Sequence, residues 1–344
     1  MKTKIRFALI LAFVIGAAIV IIEANTHRPR LLILHSHGSE TAQALTINRG
    51  LRDELRNKTH FSVRWYYTGL NALPSRPLAE AQALRARKLV DTWKPDVILA
   101  IGDEVQEYVT RHYADDPRIK IVFCAVHEDV EPYGLDFAAN ATGTLMVPPL
   151  DALRELLSNL GRQLGLSKPL RALHIGDKTD DVIDDGAHMS RGNWGDIRFV
   201  GNEFVGTFED WQLTVARAAS RADVILTSDY SELYRSANDP TLVPAREVVA
   251  WTLAHSPVPV IGTRSQFVWD GGMLAVGASL YQQGREATHM AIRLLEKPES
   301  IKYVPPTQLG EFVVAANESR LKERNITLPD IYRALARASN NYFP

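Results

Sequence analysis

From Arg30 onward, short apolar runs alternate with longer stretches whose apolar residues recur at helical spacing, and this rhythm constrains the fold more than any other feature. Leu31–Leu34 is the first run. Ala44, Ile47, Leu51 and Leu55 then mark one face of a helix. Phe61–Tyr67 reads as a strand, Pro77–Trp93 as a helix, Val97–Ile101 as a wholly apolar strand, Glu104–His112 as a helix and Ile119–Val126 as a strand. Strands that are apolar throughout are buried on both faces, which requires helices above and below a parallel sheet. The rhythm restarts after Asn140–Gly143. Leu153, Leu156, Leu157, Leu160 and Leu164 line a helix over 150–164, and strands follow at 172–175, 199–205, 224–226 and 258–261. Helices are expected over 207–219 and 245–254. Strand 273–276, helix 281–296 and strand 308–314 complete two α/β halves of similar size. No short fixed period repeats, so a solenoid is excluded.

A chain of 344 residues is long enough for two domains. Its net charge of −1 offers no basic stripe for nucleic acid. The single cysteine, Cys124, lies in an apolar run and reads as a small core residue. Lys2, Lys4 and Arg6 precede the apolar run Phe7–Ile22, the layout of an export signal. Residues 1–27 are therefore read as a signal peptide or as a signal anchor. The positive-inside rule places the remainder outside the cytoplasm in either case. No cysteine follows the run to carry a lipid.

Ligands of open parallel sheets bind beyond the carboxyl ends of the strands, where helix N-termini favour anionic groups. That rule selects six loops. His35–Glu40 offers Ser36, His37 and Ser39, either as ligand contacts or as a polar turn. Gly102, Asp103 and Glu104 either receive an ammonium or cap the next helix. His127 leads the third loop, with Glu128 and Asp129 behind it. Asp177 and Thr179 lie in the fourth. The fifth holds Ser228, Asp229 and Tyr230, the tyrosine being either an aromatic wall or buried packing. The sixth holds Thr263, Arg264 and Phe267. Arg264 is placed either to clamp a ligand carboxylate or to pair with a nearby acid. His35, His37, His127, Glu128 and Asp129 would make a metal site only if two loops converged; ordinary polar roles are the default. The acidic run 180–185 lacks a calcium-loop pattern and reads as a solvated helix start. Nucleophile-elbow, phosphate-loop and dinucleotide motifs are absent, so no enzyme activity, cofactor or metal is expected.

Several stretches carry a resemblance in their order and spacing. They are Lys94-Pro-Asp-Val-Ile-Leu-Ala-Ile-Gly102, Ile121-Val-Phe-Cys-Ala-Val126, Ala141-Thr-Gly143, the block from Pro257 to Ala287, Glu311–Asn317 and Ile326-Thr-Leu-Pro329. The chain resembles the ABC transporter substrate-binding proteins, the group that includes uptake proteins for aromatic amino acids. The resemblance implies two doubly wound parallel-sheet lobes of the periplasmic-binding type I kind, joined by a hinge with three crossovers. It implies an N-terminal lobe of 28–142 plus 273–303, a C-terminal lobe of 143–272 plus 304–337, and a loose tail at 338–344. The function implied is capture of a small polar solute, an amino acid or similar carboxylate, in a cleft between the lobes. Delivery to an ABC permease in the inner membrane follows, the carrier being a monomer without nucleic-acid partners. A membrane-tethered sensor is the alternative. Asp103 and Glu104 depart from the family's small and hydroxyl residues at that loop.

Overall fold

The computed structural model describes residues 10–11, 13–16, 28–73, 75–127, 130–166 and 168–344. Most of residues 1–27, expected to direct export, lie outside the described residues, as do Glu128 and Asp129. Among the described residues no helix is long and apolar enough to cross a membrane. The chain divides into two compact units. Unit 1 takes the described residues through Cys124, with Glu131–Thr144 and Gly284–Pro306; unit 2 takes Ala125–Val130, Leu145–Gln283 and Thr307–Pro344.

Unit 1 is built from β1 (Arg30–His35), α1 (Ala42–Leu55), β2 (Ser62–Tyr67), α2 (Arg76–Trp93), β3 (Val97–Ile101), α3 (Asp103–Tyr108), β4 (Lys120–His127) and β5 (Ala141–Met146). The strands lie in the order β5-β4-β3-β1-β2. β1 pairs in parallel with both β2 and β3, so His35 stands beside Tyr67 and Ile101. All five residues of β3 are buried, as its apolar sequence requires. Thr41 caps α1 by accepting from the Ala44 N–H at 3.2 Å. α2 buries Ala79, Ala83, Ala86 and Val90 on one face. It ends at Lys94, whose φ of 51° is left-handed and which is followed by Pro95.

Unit 2 begins with α4 (Leu150–Gln163), β6 (Arg171–Gly176), α5 (Asp180–Arg191), β7 (Arg198–Phe204), α6 (Phe208–Arg217) and β8 (Val224–Thr227). A hairpin, β9 (Tyr234–Ser236) and β10 (Asp239–Leu242), precedes α7 (Ala245–His255), β11 (Val260–Gly262), α8 (Gln266–Trp269) and β12 (Leu274–Ala278). Helix α9 (Leu280–Glu296) starts here and continues in unit 1. β13 (Thr307–Gln308), β14 (Phe312–Asn317), α10 (Glu318–Glu323), α11 (Asp330–Ala338) and β15 (Tyr342–Phe343) close the chain. The sheet order is β15-β14-β12-β11-β8-β6-β7. Strand alternation deals successive residues to two cores. Ala172, Val224 and Leu226 join Leu153, Leu156, Leu157 and Leu160 of α4 in one. Leu173, Ile175 and Ile225 join Trp211, Val215, Val248 and Val249 in the other.

The boundaries differ from expectation in two places. β12 was expected to return to the first lobe at Gly271–Gly272. It stays in unit 2 because it pairs in parallel with β11 and antiparallel with β14, and the chain changes unit at Gln283/Gly284 instead. Gly284 allows α9 to lie against α1: a Cβ there would sit 2.5 Å from the Ile47 carbonyl oxygen. The loose tail is also corrected, since Tyr342 and Phe343 pair with Ala316 and Asn317 as an edge strand.

Candidate functional site

The strand-end loops of unit 2 hold a group of ionised side chains around Arg264. Arg264 follows β11 directly. Its Nη1 lies 2.7 Å from Asp181 Oδ2 and 3.3 Å from Asp229 Oδ2, and its Nη2 lies 2.8 Å from Asp185 Oδ2. Asp181 and Asp185 are one helical turn apart on α5 and so share a face. Burial opposes the guanidinium charge, yet Asp185, Asp181 and Asp229 hold its pKa above the ordinary arginine value. Burial likewise opposes ionisation of Asp181, but Arg264 and His127 keep its carboxyl well below the usual range. Of the two readings open for Arg264, pairing with neighbouring acids is the one observed. Both of its terminal nitrogens are engaged by these aspartates.

Further acid surrounds this group. Asp177, buried after β6, accepts from the Thr179 hydroxyl at 2.6 Å and from the Glu232 N–H at 3.1 Å. Burial pushes its carboxyl up against the pull of the Thr179 hydrogen bond, and the Asp229 charge adds to the push. Glu232 is raised by burial and by the charges of Asp177, Asp181 and Asp229. Thr179 sits at the N-cap position of α5, but its hydroxyl serves Asp177 and makes no cap bond. Asp229 Oδ1 accepts from the N–H groups of Tyr230 and Ser231 at 2.7 and 2.9 Å. Three carboxylates thus share the Arg264 guanidinium, and two more, Asp177 and Glu232, lie close enough for the acid charges to raise them.

Four expected contact residues lie beneath this surface. Tyr230 is 2 % exposed, packs edge-on to Trp211 and Phe267, and donates its hydroxyl to Asp270 Oδ2 at 3.0 Å. It is core packing, and the aromatic-wall reading is withdrawn. Phe267 is also a core side chain, and Gly272 packs on its ring: a Cβ there would meet Phe267 Cδ1 at 2.4 Å. Gly272 is thereby explained by packing rather than by a hinge. Thr263 and Ser228 are buried as well.

In unit 1, the first two loops touch. Gly102 has a φ of +91°, and a Cβ there would fall 2.0 Å from Ser36 Oγ, so no other residue fits. Ser36 Oγ also lies 3.0 Å from His37 Nδ1. His35 is buried with Nε2 2.8 Å from Asn48 Oδ1, and its ring stacks on Tyr67 at 4.8 Å. Burial lowers its pKa to about 4. Ser39 is exposed and donates to Glu40 at 3.2 Å, away from the α1 cap. Asp103 and Glu104 form the first turn of α3, and Asp103 Oδ1 accepts from the Tyr133 hydroxyl at 3.0 Å. Burial, then the Asp103 charge, raises the Tyr133 phenol well above its ordinary value. His127 ends β4; within the short segment grouped with unit 2, its Nε2 lies 3.9 Å from Asp181. Among the described residues no group of three or more metal-ligating side chains is placed to hold an ion.

Asp181, Asp185, Glu232 and Tyr133 were not singled out from sequence. The acidic run over 180–185 was read as solvated, although its i, i+4 aspartates carried the signal.

Residues 205–340 match the family described as ABC transporter substrate binding protein. The matched segment contains Asp229, Glu232 and Arg264. No curated protein matches the chain. Three solved structures share its fold. The ligand-free, open structure of a substrate binding protein with adhesive properties from Clostridium difficile is 17% identical, over 88% of this chain and 96% of that one, with a TM-score of 0.65. A conserved domain protein from Vibrio cholerae is 16% identical, over 90% and 98%, with a TM-score of 0.59. The ABC domain in complex with L-Trp from Streptococcus pneumonia is 15% identical, over 89% and 98%, with a TM-score of 0.57. These likenesses show a type I periplasmic-binding fold of two parallel-sheet α/β lobes.

Proposed function

We propose that this chain is an extracytoplasmic solute-binding protein that captures a small polar solute bearing an amino group and passes it to an ABC importer. The observation that carries the solute class is the acid surplus around Arg264 at the strand ends of unit 2. With the guanidinium occupied, these loops have more acceptors than cations, and a ligand ammonium would supply the missing charge. Hydrogen bonds to charged groups contribute about 1.5–3 kcal/mol each. Asp103 and Glu104, where the resembling family has small and hydroxyl residues, add acid in unit 1. The L-Trp of the similar Streptococcus domain is a solute with an ammonium, which agrees with this reading. The charged and apolar start of the chain supports export. Solute capture in this fold needs no covalent step; binding shifts the populations of lobe arrangements.

A thermal-shift screen of the purified protein tests the proposal, using amines, amino acids, carboxylates, sugars and nucleosides. A solute at about a hundred times its Kd stabilises by about 2.7 kcal/mol. For a chain of this size that is a Tm rise of several degrees. An amine or amino acid should give it; a rise confined to sugars or simple carboxylates contradicts the solute class, and no rise at all contradicts solute binding.

A further inference from the structure

Ser228 directly precedes Asp229, and Thr263 directly precedes Arg264, so the two residues that pair at 3.3 Å stand on neighbouring strand ends. Under that pair runs a continuous polar chain. Thr263 Oγ1 donates to Ser228 Oγ at 3.0 Å. Ser228 Oγ lies 3.0 Å from His174 Nε2, and His174 Nδ1 lies 3.0 Å from Asn202 Oδ1. The Asn202 amide donates to the Gly186 carbonyl at 3.2 Å and to Ser190 Oγ at 2.9 Å, which turns its oxygen to the histidine. Nδ1 of His174 therefore carries the proton, Nε2 accepts, and Ser228 donates to it while accepting from Thr263. The shorter of the two contacts of the Thr263 hydroxyl is to Ser228; the Thr227 carbonyl lies at 3.4 Å. His174, Ser228 and Thr263 are 0 %, 4 % and 2 % exposed, so none of the three presents itself to a solute.

We infer that Ser228 and Thr263 are positioning residues, which lock the loops after β8 and β11 together through His174 and so set the Asp229–Arg264 pair in place. A buried polar network with every member satisfied holds one geometry, because any shift leaves a donor or acceptor unpaired. The Thr227 carbonyl adds two links to the same residue, accepting from the Thr263 N–H at 2.8 Å and from its hydroxyl at 3.4 Å. The role of these loops in solute capture rests on the function proposed above; the positioning itself does not.

The test is nuclear magnetic resonance of the intact protein with ¹⁵N-labelled arginine, following the Arg264 guanidinium signal and its exchange with water. Thr263→Val keeps the side-chain shape and removes the donor; Ser228→Ala removes the middle of the chain. Both should move the Arg264 signal and speed its exchange roughly tenfold, the size of a coupling within one hydrogen-bond network. Thr263→Ser should restore the original signal. Asn202→Val, on the half-buried edge strand β7, acts from the far end by freeing the histidine tautomer and should also disturb Arg264. This variant keeps the question open to test if a core variant does not fold. An Arg264 signal unchanged in the folded variants overturns the inference even where their Tm falls. The readout needs no solute, so a failed solute screen leaves it standing, and its own failure leaves the solute-binding proposal standing.

Discussion

The two units share a parallel-sheet plan but hold their strand-end loops by different physics. In unit 1 the first two loops meet through close contact, Gly102 against Ser36, backed by the buried His35 and Asn48 and the half-buried Tyr67. In unit 2 the loops are tied by charge, Arg264 against Asp181, Asp185 and Asp229. Steric fit tolerates no side chain at one position, whereas an ion group tolerates motion but not loss of its cation.

Arg264→Met should break this contrast most. Three aspartates would lose their cation, and removing one partner of a buried ion group costs about 3–5 kcal/mol. Arg264 is partly exposed, so the lower end applies, and calorimetry should show a Tm fall of several degrees. The equivalent change in unit 1, Asp103→Asn, should cost less than about 1 kcal/mol.

Acidification should reach both units through their buried histidines. His35 and His174 both stand at about 4 against 6.5 unfolded, chiefly through burial. The unfolded chain therefore binds more protons than the folded one between these values, and stability falls as pH drops from 6.5 towards 4. Each histidine contributes up to about 3 kcal/mol to that loss. Asp177 and Glu232, raised in the folded state, pull the other way. Denaturant melts at pH 7 and pH 4.5 should show the decline, and His174→Gln should reduce it.

Gly102→Ala should cost about 1–3 kcal/mol, since its φ is left-handed and the new methyl collides with Ser36. An unchanged denaturation midpoint would show that contact does not hold unit 1. A similarly small effect is expected from Tyr133→Phe, which removes the phenol donor to Asp103 at a cost of about 1 kcal/mol.

Much of the fold was legible because a parallel sheet writes itself into local sequence. β3 is apolar throughout since both its faces are covered, and the leucines of α4 repeat at helical spacing since one face meets the core. Elements fixed by distant pairing were not legible. β12 belongs to unit 2 because β14, far along the chain, pairs with it, and β15 is a strand only because Ala316 and Asn317 receive it. The hairpin β9–β10 is polar and exposed on its second strand, with no apolar alternation to announce it. At the site, loop positions followed from topology, but the fate of each side chain did not. Tyr230 and Arg264 each had two readings that only their neighbours, Asp270 and the three aspartates, could separate.

The most direct test of the central claim is isothermal titration of the protein with an amine or amino-acid solute and with its N-acetylated counterpart, which lacks the positive charge. The account predicts saturable binding of the free amine and at least tenfold weaker binding of the acetylated form, the effect of losing about 1.4 kcal/mol of charged hydrogen bonding. Equal binding of the two forms would contradict it, because the acid surplus around Arg264 would then play no part in choosing the solute.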